Sequence, residues 1–161
     1  MNGLYDTTDP RADNRRWRCS VLGDALANVI EAEPDCDALL AGLANSEPAA
    51  LGLVGRLLVW RASSSEQLPP QLKEIGEAFY RWSETVGREP HALCRTLVAW
   101  LDATCAEARL GHRIELAHVG DRYDRLRHSS VAPGQEIASI HGWTVIREGG
   151  GIYTKAFVVA H

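Results

Sequence analysis

The spacing of the apolar residues changes once, near residue 112, and this change restricts the fold more than any other feature of the chain. Before it, apolar side chains recur at three- and four-residue steps, the spacing of one face of an α-helix. Leu72, Ile75, Phe79, Trp82 and Val86 make one such stripe, and Leu93, Leu97, Trp100, Leu101 and Thr104 make the next. After it, Ile114 and Leu116 alternate with polar neighbours, and the chain closes on β-branched and aromatic residues. That pattern suits a pleated strand. The fold class expected is α+β: an N-terminal helical bundle of about five helices over residues 16–111, then a small β-rich unit over 112–161. Residues 1–15 are polar, with breakers at Asn2-Gly3 and Asp9-Pro10, so a flexible tail is expected there.

Prolines divide the helical part. Ser20 can cap a helix to about Glu33 carrying Val21, Leu22, Ala25, Leu26, Val29 and Ile30 on one face, and Pro34 stops it. Asp35 or Asp37 starts a short helix with Leu39, Leu40 and Leu43. Ser46-Glu47-Pro48 opens another with Leu51, Val54, Leu57, Leu58 and Trp60, which Gly52 and Gly55 either weaken or open to a close neighbour. A break from Ala62 through Pro69-Pro70 precedes helices over 70–87 and 90–109, whose short connection makes them antiparallel neighbours. In the β part, Trp143 to Glu148 and Ile152 to Ala160 are strands joined by a turn at Gly149-Gly150-Gly151. On the last strand Ile152, Thr154, Ala156 and Val158 face one way. Tyr153, Lys155, Phe157 and Val159 face the other, toward either core or a partner.

The 161 residues are 45% hydrophobic and 24% charged, a globular composition, with a formal net charge of −4. That balance points away from nucleic acid, and the short Arg15-Arg16-Trp17-Arg18 cluster beside Asp13 reads as a solvated helix start. Neither a signal peptide nor a membrane span is expected, and the reading is a cytoplasmic protein. Cys19, Cys36, Cys94 and Cys105 have no metal-ligand spacing, and Cys94 and Cys105, on one helix face with Val98 and Leu101, read as small buried residues. No metal or other cofactor is expected.

Six histidines raise the question of catalysis. Asp124 and His128 stand at helical spacing and could pair as base and orienting carboxylate, with Ser129 or Ser130 as nucleophile. No nucleophile elbow or oxyanion-hole motif accompanies them, so structural hydrogen bonds in a turn are the simpler reading. A metal site from His112, His118 and His128 has no ligand-spaced pair behind it.

The stretch Val119-Gly120-Asp121-Arg122-Tyr123-Asp124-Arg125-Leu126-Arg127-His128 is followed by Val131, Pro133-Gly134, Ile137, Gly142-Trp143 and a tail with Ala156, Val158 and Val159-Ala160-His161. In that order these residues resemble the head of the GrpE family, the exchange factors of DnaK-type heat-shock chaperones, where V-G-E-P-F-D-P-x-x-H-E-A-V leads to P-G-T-V, a G-Y pair and a closing strand. The likeness covers roughly residues 112–161. It implies a non-enzymatic co-chaperone that binds the chaperone's ATPase domain and promotes ADP release. Alternatives are an adaptor that docks without exchange, or a small hydrolase using Asp124 and His128. The resemblance places Gly120, Tyr123, Asp124, His128, Pro133, Gly134 and Gly142 in structural roles. It nominates Ser139, His141, Trp143, Arg147, Lys155, Phe157 and Val159 for partner contact. The helix pair falls where the family dimerises, so Leu72, Ile75, Phe79, Trp82, Leu97 and Trp100 are expected at a homodimer interface. The chain departs from the family in its shorter loop after His128, in Arg125 where the family has proline, and in Ile152-Tyr153-Thr154-Lys155 before the closing strand. Its prolines also exclude the family's long helical stalk.

Overall fold

The computed structural model describes residues 34–161 and, ahead of them, Arg16, Cys19, Ser20, Gly23, Asp24 and Ala27. Apart from those six, the tail and the helix expected up to Glu33 lie outside the described residues. From residue 34 the chain forms α1 (Pro34–Ala44), α2 (Pro48–Ala62), a 3₁₀ turn (Ser65–Gln67), α3 (Leu68–Val86) and α4 (His91–Glu107).

Proline opens α1 and lies in the first turn of α3, ahead of the starts expected at Asp35 or Asp37 and at residue 70. Pro34 is the first residue of α1, and Pro69 and Pro70 lie inside the first turn of α3. The first turn has no intrahelical acceptor for its N–H groups, so the missing donor costs nothing there. Upstream of α3, Ser64 and Gln67 form a capping box, with the Ser64 N–H donating to Gln67 Oε1 at 3.2 Å. Gly87, at φ +74°, ends α3. Gly52 and Gly55 admit no close neighbour: among the described residues nothing lies within 4 Å of a Cβ built there.

The apolar stripe of α3 is filled from within the chain. Leu72, Ile75, Phe79 and Trp82 are fully buried, in a core shared with Leu53, Leu57 and Trp60 of α2 and Leu93, Leu97 and Leu101 of α4. Trp100 is half-buried and tilts against Trp60, centroids 6.5 Å apart. This corrects the expected homodimer face. The spacing that suggested a seam between two copies is met here by α2, α4 and the β unit of the same copy.

The β unit holds β1 (Arg113–Glu115), β2 (His128–Ser129), β3 (Ile137–Ile140), β4 (Thr144–Ile146), β5 (Ile152–Thr154) and β6 (Ala156–Ala160). They form two three-stranded sheets, ordered β1-β4-β5 and β2-β6-β3. All pairings are antiparallel except β2 with β6. Ile152 to Ala160 is therefore not one strand. It breaks at Lys155, and its halves enter different sheets. The alternation survives the break: Ala156, Val158 and Ala160 are buried while Phe157 and Tyr153 are exposed. The glycine turn forms as expected, with Gly149 and Gly150 at φ +83° and +84°.

Trp143 joins the two parts. Its indole N–H donates to the Leu72 carbonyl of α3 at 2.8 Å, and its ring stacks on Phe79 at 6.4 Å and 26°. A Cβ on Gly76 would stand 2.7 Å from that ring, so only glycine lets α3 approach it. The contact brings the outer face of α3 beside β3.

Candidate functional site

The loop from Val119 to His128 is held by its own motif residues. Gly120 adopts φ +91°, and its N–H donates to Ile137 O at 2.9 Å, while Ile137 N–H returns to Asp121 O at 2.8 Å. Tyr123 N–H donates to Gln135 O at 2.7 Å. Asp124 closes the turn: its carboxylate accepts from Leu126 N–H at 2.8 Å and its carbonyl from His128 N–H at the same distance. The Asp124 N–H in turn donates to His128 Nδ1 at 3.1 Å. His128 is buried, and desolvation holds its imidazole below the usual histidine range against the opposing pull of Asp124, Asp121 and Glu115. Gly134 lies against the chain's last residues; a Cβ there would stand 2.3 Å from His161 N. Pro133 beside it is exposed, and Gly142 is buried, with a Cβ position 3.7 Å from Phe157 N.

The catalytic array that Asp124, His128 and the following serines could have made is not assembled, and the simpler reading, hydrogen bonds within a turn, describes Asp124 and His128. His128 Nδ1 takes a backbone N–H rather than facing a carboxylate. Ser129 Oγ donates to Ala156 O at 3.4 Å and Ser130 Oγ to Ala132 O at 2.9 Å. His112 lies edge-on to Tyr153 at 4.9 Å, and among the described residues no group of three His, Cys, Asp or Glu could hold a metal ion.

The residues nominated for partner contact divide. Trp143 is 1% exposed and belongs to the core, so it is removed from that set. Arg147 is exposed on the β4–β5 turn, and Lys155 is exposed between the sheets, its Nζ donating to Arg125 O at 2.6 Å. Phe157 is 38% exposed, and Ser139, His141 and Val159 are half-buried.

Three of these residues meet a fourth that periodicity did not single out. Ser139 Oγ lies 2.9 Å from His141 Nε2, and His141 Nδ1 lies 3.0 Å from Glu84 Oε1 on α3. Ser139 lies in β3, and His141 follows the strand's last residue, Ile140. The Phe157 ring flanks the imidazole at 5.6 Å, and the His141 N–H donates to Phe157 O at 2.9 Å. On one side of the imidazole is a cleft of about 250 Å³ lined by Glu77, Arg81, Glu84, His141 and Phe157. Ser139 lines a second cleft, of about 310 Å³, with Tyr80, Glu84, Val119, Ala138 and Ile140 among its walls.

No family model, curated protein or solved structure matches this chain. The chemistry available is what the geometry itself offers. The exposed side of β6 presents an aromatic ring, the nearby cations Arg81 and Lys155, and the hydrogen-bonding pair Ser139 and His141. Glu84 carried no signal in the sequence, because nothing in the spacing links a solvent-side position of α3 to β3.

Proposed function

We propose that the protein is a co-chaperone: a GrpE-like nucleotide exchange factor whose β unit docks on the ATPase domain of a DnaK-type chaperone and promotes ADP release. One observation carries the reading. Five of the residues on which the resemblance rests, Gly120, Tyr123, Asp124, His128 and Gly134, tie the loop 119–128 to β2, to β3 and to the chain's last residues, while Val119, Val131 and Pro133 are exposed. Residues matched by chance along a sequence have no reason to fall on one framework.

Docking falls to what that framework leaves outside. Phe157 and Tyr153 are the exposed aromatics of the β unit, with Lys155 between them in sequence and Arg147 on the adjoining turn. Aromatic and arginine anchors dominate the energetics of most interfaces. The face lowers nucleotide affinity by fitting only the open state of the partner's cleft, since a ligand selective for one state shifts the equilibrium toward it. A thousand-fold weakening requires roughly 4 kcal/mol of preference for the open state. One copy of the face suffices, which accords with a helix stripe closed within the chain.

The test is calorimetric titration of the full chain into a DnaK-type ATPase domain, nucleotide-free and ADP-bound. Tighter binding to the nucleotide-free form, weakened about tenfold or more by F157D, supports exchange. Equal binding to both forms makes the protein an adaptor. Binding to neither removes the reading.

A further inference from the structure

We propose that Ser139, His141 and Glu84 form a hydrolytic site for short carboxylic esters. The inference is independent of chaperone binding and rests on the side-chain array alone. The order of contacts is the one acyl transfer needs: hydroxyl on Nε2 at 2.9 Å, carboxylate on Nδ1 at 3.0 Å. With Glu84 accepting from Nδ1–H, the tautomer is fixed and Nε2 is left as the base facing Ser139 Oγ. The imidazole is held by its own backbone bond to Phe157 and by the flanking ring. Ser139 is half-buried and opens on the cleft that Tyr80, Val119, Ala138 and Ile140 line together with the polar Ser83, Glu84, Arg88 and Glu89, and its volume has room for a short acyl chain.

The step balances with water as the only co-reactant. Ser139 Oγ attacks the ester carbonyl carbon as its proton passes to His141 Nε2, and the carbonyl π pair moves to oxygen. The tetrahedral adduct collapses, breaks the bond to the alkoxy group and returns the proton from Nε2 to the departing oxygen. Water then attacks the acyl-serine by the same route, yielding the acid and restoring Ser139. Glu84 stabilises the imidazolium in both halves and is not itself protonated.

The experiment uses the full chain with p-nitrophenyl acetate as substrate and a fluorophosphonate probe, followed by peptide mass spectrometry. Ester hydrolysis above the buffer rate, a probe adduct on Ser139, and loss of rate by ~100-fold or more in S139A and H141Q are expected. E84Q should slow hydrolysis at least ~10-fold while the probe still maps to Ser139. Far-UV circular dichroism establishes that each variant is folded, and S129A, outside the array, should keep the full rate. Absence of hydrolysis, an adduct on another residue, or an S139A protein as active as the parent overturns the proposal. An E84Q protein at full rate overturns the assignment of Glu84.

Discussion

At the scale of single residues the tightest constraints are steric and electrostatic. A Cβ at Gly134 would meet the backbone of Ala160 and His161, which cannot move without unpairing β6. Gly134→Ala should therefore cost about 1–3 kcal/mol, measured as a lowered urea midpoint; an unchanged midpoint would mean that the C-terminus yields freely. His128 sets a pH dependence. Its imidazole titrates below the usual range because it is buried, so the unfolded chain takes up the proton first as pH falls. The stability it confers is complete above roughly pH 6.5 and is lost as pH falls from there through the lowered native value. Protonation would also turn Nδ1 from an acceptor into a donor facing the Asp124 N–H. The urea midpoint should drop between about pH 7.5 and about pH 5.5, and the drop should shrink in H128N; an equal drop in both places the effect elsewhere. Burial also raises the thiols, Cys94 to about 12 and Cys105 to about 11. Both should resist a thiol reagent in the folded protein and react on denaturation. The turn role of Asp124 and His128 was legible in the sequence because such contacts are local. Glu84 was not, because the pairing of a helix face with a strand is set by tertiary packing.

At the scale of elements, the helix stripes and the glycine turn were legible because each spans enough residues for periodicity to show. β2 is two residues long and β3 four, too short for alternation to register, and both passed unread. The closing strand was read as continuous because the break at Lys155 leaves the inside-outside alternation intact. The stripe of α3 has the spacing of a seam between helices, and spacing alone does not say whose side chains fill it. Here α2, α4 and, from the β unit, Trp143 do. Trp143→Ala should cost about 3–5 kcal/mol and loosen helices and strands together. If helical signal at 222 nm persists unchanged while the β unit unfolds, the contact does not couple them. At the other end of the helices, Asp35 is 4% exposed and pairs with the Arg88 guanidinium. Removing Arg88 strands a buried carboxylate, so R88A should cost about 1–3 kcal/mol, a figure kept modest because the Arg88 side chain is itself largely exposed.

At the scale of the whole molecule, helices and sheets share one core, with Ile114, Ile137, Val145 and Val158 continuous with the residues of α2, α3 and α4. The change of period at residue 112 marks a change of secondary structure, while the packing runs across it. That arrangement holds the face of β6 and the outer side of α3 in a fixed relation, so that Glu84, Ser139, His141 and Phe157 occupy one surface. Two uses of that surface are separable in experiment. A chaperone partner is sensitive to the exposed ring of Phe157, and ester hydrolysis to the hydroxyl of Ser139. The most direct test of the exchange reading is the rate at which fluorescent ADP leaves a DnaK-type chaperone with and without this protein. Acceleration by a factor of ~100 or more, abolished by F157D, is the predicted result. A release rate that the protein leaves unchanged at saturating concentration would contradict it.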